Sequence, residues 1–425
     1  MVKIMEETIL YAIGIDFSTG FSSLSYVESK NAEPKSMSIS ADDGKYVIPL
    51  VLYKRKQTDE WLIGDEAFFA SENEENGRMN LVNSLFEIYV KNETKYIENR
   101  EYTGEELMKL FFVELYRKAK EIIGFSSVEN LVVTTETINR SFVQTMKNIC
   151  ASEEIKAGKI QFLNHSETFA YYVLHSKREL WANDVTLFSL DEKGFICRNL
   201  TKRREKNRNT IFVETEDLSW LLQYENLQSA EGQDGADEKF SRYLSDDYKN
   251  HIVSSVFFTG IGFYENWYQK SIREICRKRR AFKGFNLYAD GAAASTLKNQ
   301  AEEWAIYCEG RTSVNVAIQR LVKGQKEDYL LSPAGVTWTE AGNTAEFILD
   351  HADHVSFVIT APFHKDRELF DLSLQEFPLR DDKTMCIAVS LEYDGSNYLE
   401  IMVEDRGFGD FIKPSGKVIR KRISL

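Results

Sequence analysis

Asp16, Ser18, Thr19 and Gly20 are the first residues along the chain whose types and spacing could do chemistry. They lie in the stretch from Ile9 to Val27, which reads as a strand, a tight polar turn and a second strand. Ile13, Ile15, Tyr26 and Val27, β-branched or aromatic, favour extended backbone on either side of it. The backbone amides of such a turn can face an anion. Asp16, at the exit of the first strand, stands where a carboxylate can hold a hydrated metal ion or simply start the turn. No Gly-Lys-Ser/Thr follows, so the stretch is not a lysine-bearing P-loop. A second glycine turn, Thr259-Gly-Ile-Gly-Phe263, falls between an apolar strand and a helix. There exposed amides and a helix N-terminus could meet a phosphate or a flat ring. The bland reading of both stretches is an ordinary connection between elements.

The elements that would position these turns alternate between strand and helix. Tyr46 to Tyr53 reads as a strand made edge-like or bulged by Pro49. Trp61 to Ala67 reads as a short strand entering a helix, and Ser71 to Arg78 as a polar loop. Helices are expected over Glu105 to Ile123 and Asn139 to Ala151, and strands at Leu131 to Thr134 and Ile160 to Leu163. The next helix passes through Tyr171 and Leu174. Such alternation indicates an α/β sheet. Three consecutive antiparallel strands follow near 185–188, 195–200 and 210–213, with the charge run Lys202 to Arg208 expected at a solvated hairpin tip. Ser229 to Asp237 reads as a flexible loop, leading to a helix through Phe240 and Tyr248 and a strand at Ser255 to Thr259. A long helix to about Arg280, a strand at Asn286 to Tyr288 and a helix opening at Gly291 to Ser295 complete this part. The basic run Arg273 to Arg280 suits a helix C-terminus. From about Gly310 short strands separated by turns, such as Asp394-Gly-Ser-Asn397, indicate an all-β domain of sandwich type. His351 and His354 have no third ligand at metal spacing and read as a turn. No repeat at a solenoid or propeller period is visible.

A chain of 425 residues exceeds what one core usually serves. The expected domains are 1–183, 184–309 and 310–425. A formal net charge of −13 argues against nucleic-acid or anionic-membrane partners. Five dispersed cysteines, Cys150, Cys197, Cys276, Cys308 and Cys386, suit reduced, buried thiols. No apolar run reaches the roughly 18 to 20 residues that span a bilayer, and none follows the N-terminal charges as in a secretion leader. The expectation is a soluble cytoplasmic protein.

Taken in order, these motifs resemble the actin/Hsp70/sugar-kinase ATPase superfamily, and its Hsp70 branch most. Gly14-Ile-Asp-Phe-Ser-Thr-Gly20 is similar to the first phosphate motif, and Leu62-Ile-Gly-Asp-Glu-Ala67 to an early helix start. Leu131-Val-Val-Thr-Thr with Asn164-His-Ser-Glu-Thr-Phe-Ala170 resembles the connecting segment. Val256-Phe-Phe-Thr-Gly-Ile-Gly-Phe263 with Asn286-Leu-Tyr-Ala-Asp-Gly-Ala-Ala-Ala294 resembles the adenosine motif and closing helix. The resemblance implies two actin-like (ribonuclease H-like) lobes followed by a β domain that meets a protein partner or client. It implies ATP or ADP with Mg at Gly14, Asp16, Ser18, Thr19, Gly20, Ser189, Gly260, Gly262 and Phe263, with Asp16 reaching the metal through water. Asp16 and Glu167 would be its catalytic residues.

The departures from the family pattern weigh more than the matches. The second phosphate loop, an Asp followed by glycines in the family, reads here Phe188-Ser-Leu-Asp-Glu-Lys-Gly194. Ser189 takes the place of the metal-directing Asp, and Asp191, Glu192 and Lys193 fill the glycine stretch. The first-lobe lysine is missing in register, Lys91 standing later, and Glu167 sits one residue off, with His165 at the strict position. Phosphoryl transfer depends on positioning and charge neutralisation. Weak or absent hydrolysis is therefore expected: a pseudoenzyme and interaction scaffold, with an active ATP-dependent chaperone as the alternative. A sugar kinase fits the appended β domain less well, and filament formation as in actins is a further reading.

Overall fold

A computed structural model describes residues 11–18, 20–28, 31–40, 45–205, 208–249, 251–297, 303–350, 352–362, 367–381 and 383–425, without the side chains of residues 31, 32, 205 and 208. The chain divides into two compact units, Met1–Ala305 and Ile306–Leu425.

The first unit opens with β1 (Tyr11–Phe17), β2 (Phe21–Glu28), β3 (Asn31–Met37) and β4 (Val47–Pro49). The strand expected over Tyr46 to Tyr53 is broken after Pro49: β4 pairs with β2, whereas β5 (Leu52–Lys54) joins β6 (Trp61–Ile63) and β7 (Leu81–Val82) in a small separate sheet. Proline has no N–H to continue the ladder. Helix α1 (Gly64–Asn73) takes in the start of the supposed loop at Ser71, and α2 (Leu85–Val90) and the hairpin β8 (Thr94–Ile97) and β9 (Arg100–Thr103) follow. α3 (Gly104–Ile123) starts at a capping box between Thr103 and Glu106 and buries Leu107, Phe111, Leu115 and Ala119 along one face. Then come β10 (Val128–Thr135), α4 (Arg140–Cys150), β11 (Ala157–Asn164) and α5 (His165–His175).

The same plan then begins again. β12 (Asp184–Asp191), β13 (Gly194–Glu205) and β14 (Arg208–Asp217) form an antiparallel meander, followed by α6 (Ala230–Asp247), β15 (Val253–Thr259), α7 (Gln269–Cys276), β16 (Arg280–Lys283) and α8 (Leu287–Ala294). The first sheet runs β3-β2-β1-β10-β11 and the second β14-β13-β12-β15-β16, with β17 (Trp304–Tyr307) added beside β14. In each, the opening strand (β1 or β12) is antiparallel to the next (β2 or β13) and parallel to the neighbour on its other side (β10 or β15). Five strands of the same order and direction in each sheet are a structural duplication, although no sequence repeat announces it. The second sheet packs a largely aromatic core, Phe188, Phe195, Phe240, Phe258, Phe263, Trp267 and Tyr268.

Several expectations fail here for local reasons. Ser229 to Asp237 is helix, because the Ser229 hydroxyl caps the Gly232 amide and Ala236, Asp237, Phe240 and Leu244 all turn inward. Asp237 is not a loop charge, since its carboxylate accepts from the amides of Lys270 and Ser271. The long helix to Arg280 shrinks to eight residues, α7. Arg279 instead lies over the Tyr248 ring and Arg280 enters a strand. Asn286 to Tyr288 opens α8 rather than forming a strand, and Gly291 lies inside that helix. In the basic run, Lys202 to Arg204 belong to β13. Lys202 donates to the Trp181 carbonyl, and Arg203 and Arg204 cover the rings of Phe212 and Trp304. None of the five cysteines forms a disulfide, but Cys276 is exposed and only Cys150 and Cys197 are fully buried.

The second unit is strand-rich. β18 (Asn315–Val322), β19 (Gln325–Ser332), β21 (His354–Thr360) and β22 (Arg367–Ser373) form one antiparallel sheet in the order β19-β18-β21-β22. β20 (Thr344–Ile348), β23 (Cys386–Tyr393), β24 (Tyr398–Gly407) and β25 (Val418–Ser424) form the other, in chain order. Buried Tyr393 donates to the Ser332 hydroxyl, tying one sheet to the other. Asp405, fully buried, takes two bonds from Arg380 and one each from the amides of Gly407 and Ser415. Burial pushes its carboxyl up, but Arg380 and the other donors outweigh it and hold the pKa at about 2. His351 lies outside the described residues, and His354 pairs with its neighbour Asp353 at 2.6 Å.

Candidate functional site

Three parallel or adjoining segments of the first sheet end at one point. β1 delivers Asp16, the segment after β10 delivers Glu136, and α5, entered directly from β11, delivers His165. The carboxyl edge of parallel strands is where such sheets place their sites, because helix starts and loops converge there. Asn164 caps α5, its side chain accepting the Glu167 amide while the Glu167 carboxylate takes the Asn164 amide. This box sets the helix start and aims His165 across the strand ends.

Buried His165 donates through Nε2 to Asp16 Oδ1 at 2.7 Å and through Nδ1 to Glu136 Oε2 at 2.8 Å. Burial alone would push the imidazole pKa down; Asp16 and then Glu136 overcome that and raise it, favouring the cationic form between the two carboxylates. From the second sheet, fully buried Arg198 on β13 reaches the other oxygen of Glu136. Its Nη1 donates to the Tyr288 hydroxyl at 2.9 Å, and its Nε to the Ser166 hydroxyl at 3.3 Å. Burial raises the Glu136 carboxyl, but Arg198 and His165 outweigh it and hold the pKa at about 2. Tyr288 lies flat on His165, ring centroids 3.7 Å apart and planes 6° from parallel. The result is an alternating chain, Asp16, His165, Glu136, Arg198, running from the first sheet to the second. Burying so many charges is tolerable because every one meets its opposite.

The residues expected to hold a nucleotide separate into three groups. Asp16 and Ser18 belong to the ion chain: the Ser18 hydroxyl donates to Asp16 Oδ2 at 3.3 Å, and Ser22 donates to the Asp16 carbonyl. Ser189, buried opposite Thr259, is within bonding reach of the Tyr288 hydroxyl. Gly14, Gly260 and Gly262 form the second group, and protein packing accounts for each. A Cβ on Gly14 would stand 2.3 Å from the Ala289 carbonyl and 2.6 Å from the Ala293 amide, so this glycine lets α8 lie on β1. A Cβ on Gly260 or Gly262 would strike Leu190, and Gly260 also has φ +89°. Phe263 is fully buried among the aromatics of the second sheet and offers no ring to a ligand. The third group is Gly20, with open space where its Cβ would be. Thr19 lies outside the described residues. Glu167 is bound into the helix cap, and exposed Lys91 pairs with Glu87 on the surface. Among the described residues no group of three or more His, Cys, Asp or Glu side chains is arranged to hold a metal ion.

Gly20 opens onto a cavity of about 640 Å³ beside the ion chain. Its lining comes from Gly20 and Phe21, from Lys45, Tyr46, Val47 and Pro49, from the turn Asp191 to Lys193, and from Ile261, Tyr264 and Phe285. Sequence reasoning missed Glu136, Arg198 and Lys45. Arg198 carried a readable signal: it shares one face of β13 with Ile196 and Leu200, and an arginine on a buried face demands an acid partner. Nothing in the sequence named Glu136 as that acid.

Duplicated sheets joined by a buried ion chain, with a strand-rich unit following, define a two-unit mixed α/β protein. The description of a family of unknown function, DUF5716, through its C-terminal part, matches residues 33–310, more than half of the chain, and the chain belongs to that family. A domain of unknown function, DUF8552, matches residues 311–425. No curated protein matches the chain. Among the described residues no helix is long and apolar enough to cross a membrane.

Proposed function

We propose that this protein is an Hsp70-like pseudo-ATPase of the actin-like superfamily, serving as a protein-interaction module rather than turning over ATP. Support for the fold assignment comes from the duplicated strand order and from one helix of each half that packs on the other, α5 on β14 and α8 on β1. Gly14 lets α8 onto β1, and Gly291 of α8 lets it approach Thr168 of α5. The observation that carries the loss of activity is the pairing of Asp16 with His165. A carboxylate that must direct a hydrated Mg ion is here the acceptor for a buried imidazolium. Opposite it, Ser189 offers no charge, and Asp191 and Glu192 bring carboxylates to the place where phosphates would enter. These residues do not fit a metal-bound triphosphate.

The hydrolytic alternative needs Asp191, Lys193 and Glu167 to converge. Asp191 and Lys193 do line the cavity, but Glu167 faces back onto its own helix cap. Titration calorimetry with ATP and magnesium, together with a phosphate-release assay, tests the proposal. The expected release equals that of buffer; turnover that Asp16→Ala abolishes would overturn it. The interaction role falls to the second unit, and its test is whether a partner captured by the full chain is lost when that unit's surface residues are exchanged.

A further inference from the structure

The cavity beside the ion chain has walls and charges of a kind that suits a different ligand. At about 640 Å³ it falls within the roughly 300–1,000 Å³ of small-molecule pockets. Four aromatic rings line it: Phe21, Tyr46, Tyr264 and Phe285. Those of Tyr264 and Phe285 lie with centroids 4.1 Å apart and planes 32° apart, making one broad π surface. Both lysines of the lining are engaged. The Lys45 ammonium is 2.6 Å from Asp65 Oδ1, and that of Lys193 lies 5.1 Å over the Phe86 ring. Neither acid is matched by a cation in the same way. Asp191 accepts the Lys193 amide through one oxygen, and among the described residues Glu192 makes no ion pair. Burial raises the Asp191 carboxyl, and the Lys193 amide and the nearby charges of His165 and Lys193 offset it only in part.

We propose that this cavity binds a flat organic cation, an aromatic ring bearing an amidinium or protonated amine. The ring lies against Tyr264 and Phe285, and the charged nitrogen points to Asp191 and Glu192. Aromatic faces favour cations through the ring quadrupole, and the half-buried Asp191 and exposed Glu192 carboxylates add the directional term. The inference rests on the reading above in one respect: the cleft is free of a triphosphate.

Benzamidine, its neutral analogue benzamide, and ATP with magnesium are the probes, titrated calorimetrically into the full chain. Benzamidine is expected to bind at least tenfold more tightly than benzamide, and to weaken as salt rises. The double variant Asp191→Asn/Glu192→Gln removes that preference, and Tyr264→Ala weakens both ring probes. Should the double variant fail to fold, Glu192→Gln alone, at an exposed position, must still lower benzamidine affinity. Equal affinity for the two ring probes, or no benzamidine binding, overturns the cation site. ATP turnover in the parallel phosphate-release assay would sink the pseudo-ATPase reading instead, and the benzamidine ratio still decides the cation site.

Discussion

The turn between β1 and β2 and the turn between β12 and β13 hold the same place in two sheets of the same strand order. Asp16 pairs across a parallel ladder with Thr134, and Ser189 pairs in the same way with Thr259. From there the two diverge. The first connection spans Ser18 to Gly20, and its acid is drawn inward to a buried imidazolium. The second is a two-residue hairpin at Glu192 and Lys193, with its acids at the cavity mouth. Where one turn keeps its carboxylate and cancels it, the other has a hydroxyl in that position and displaces its charge two residues outward. A duplicated backbone keeps the places, while the side chains on it decide whether a place is a site or a seam.

The pairing at the first turn is the largest lever on that difference. His165→Ala strands Asp16 without counter-charge and is expected to cost about 4 kcal/mol in urea unfolding, within the range for breaking a buried pair. Arg198→Met, which cuts the link to the second sheet, is expected to cost about 3 kcal/mol, less because water reaches the partly exposed Glu136. A smaller loss should follow from Gly14→Ala, about 2 kcal/mol through overpacking against α8. Gly20→Ala, in open space, should stay within about 0.5 kcal/mol of the parent. If the two glycine variants cost the same, Gly14 is not a packing glycine.

Titration sharpens the same comparison. The raised His165 pKa means its stabilisation is complete below the ordinary imidazole value of 6.5 and is lost as pH climbs through the folded value. Glu136 works in the other direction, fully stabilising above its ordinary 4.5 and losing the effect as pH falls toward about 2. Unfolding free energy measured against pH should therefore decline on the alkaline side. His165→Gln should flatten that limb, and an unchanged limb would show that the imidazole is neutral in the folded protein.

Much of the first unit was legible because its strands and helices carry clear periods. Thr103, Asn139 and Asn164 were capping residues of standard type, and the apolar runs of β10, β12 and β15 stand out in any reading. The misreadings had local causes. Glycine and acid content made 229–237 resemble a loop, although a Ser cap and inward residues spaced for a helix were present. Pro49 split a strand into two sheets, a consequence that depends on which neighbour each half meets. The glycines proved hardest, because Gly14, Gly20 and Gly260 are the same residue in sequence and only their surroundings tell packing from open space.

By itself the sequence determined the mixed α/β order of the first unit, the strand-rich second unit, and the presence of a hydroxyl, Ser189, near the end of β12. Those follow from period, composition and residue identity, which are local. Tertiary structure alone decided that Asp16, His165, Glu136 and Arg198 join, because they come from four segments far apart in the chain. Charges so placed must find partners once buried, and which partner each finds is set by the meeting of two sheets rather than by any spacing along the chain.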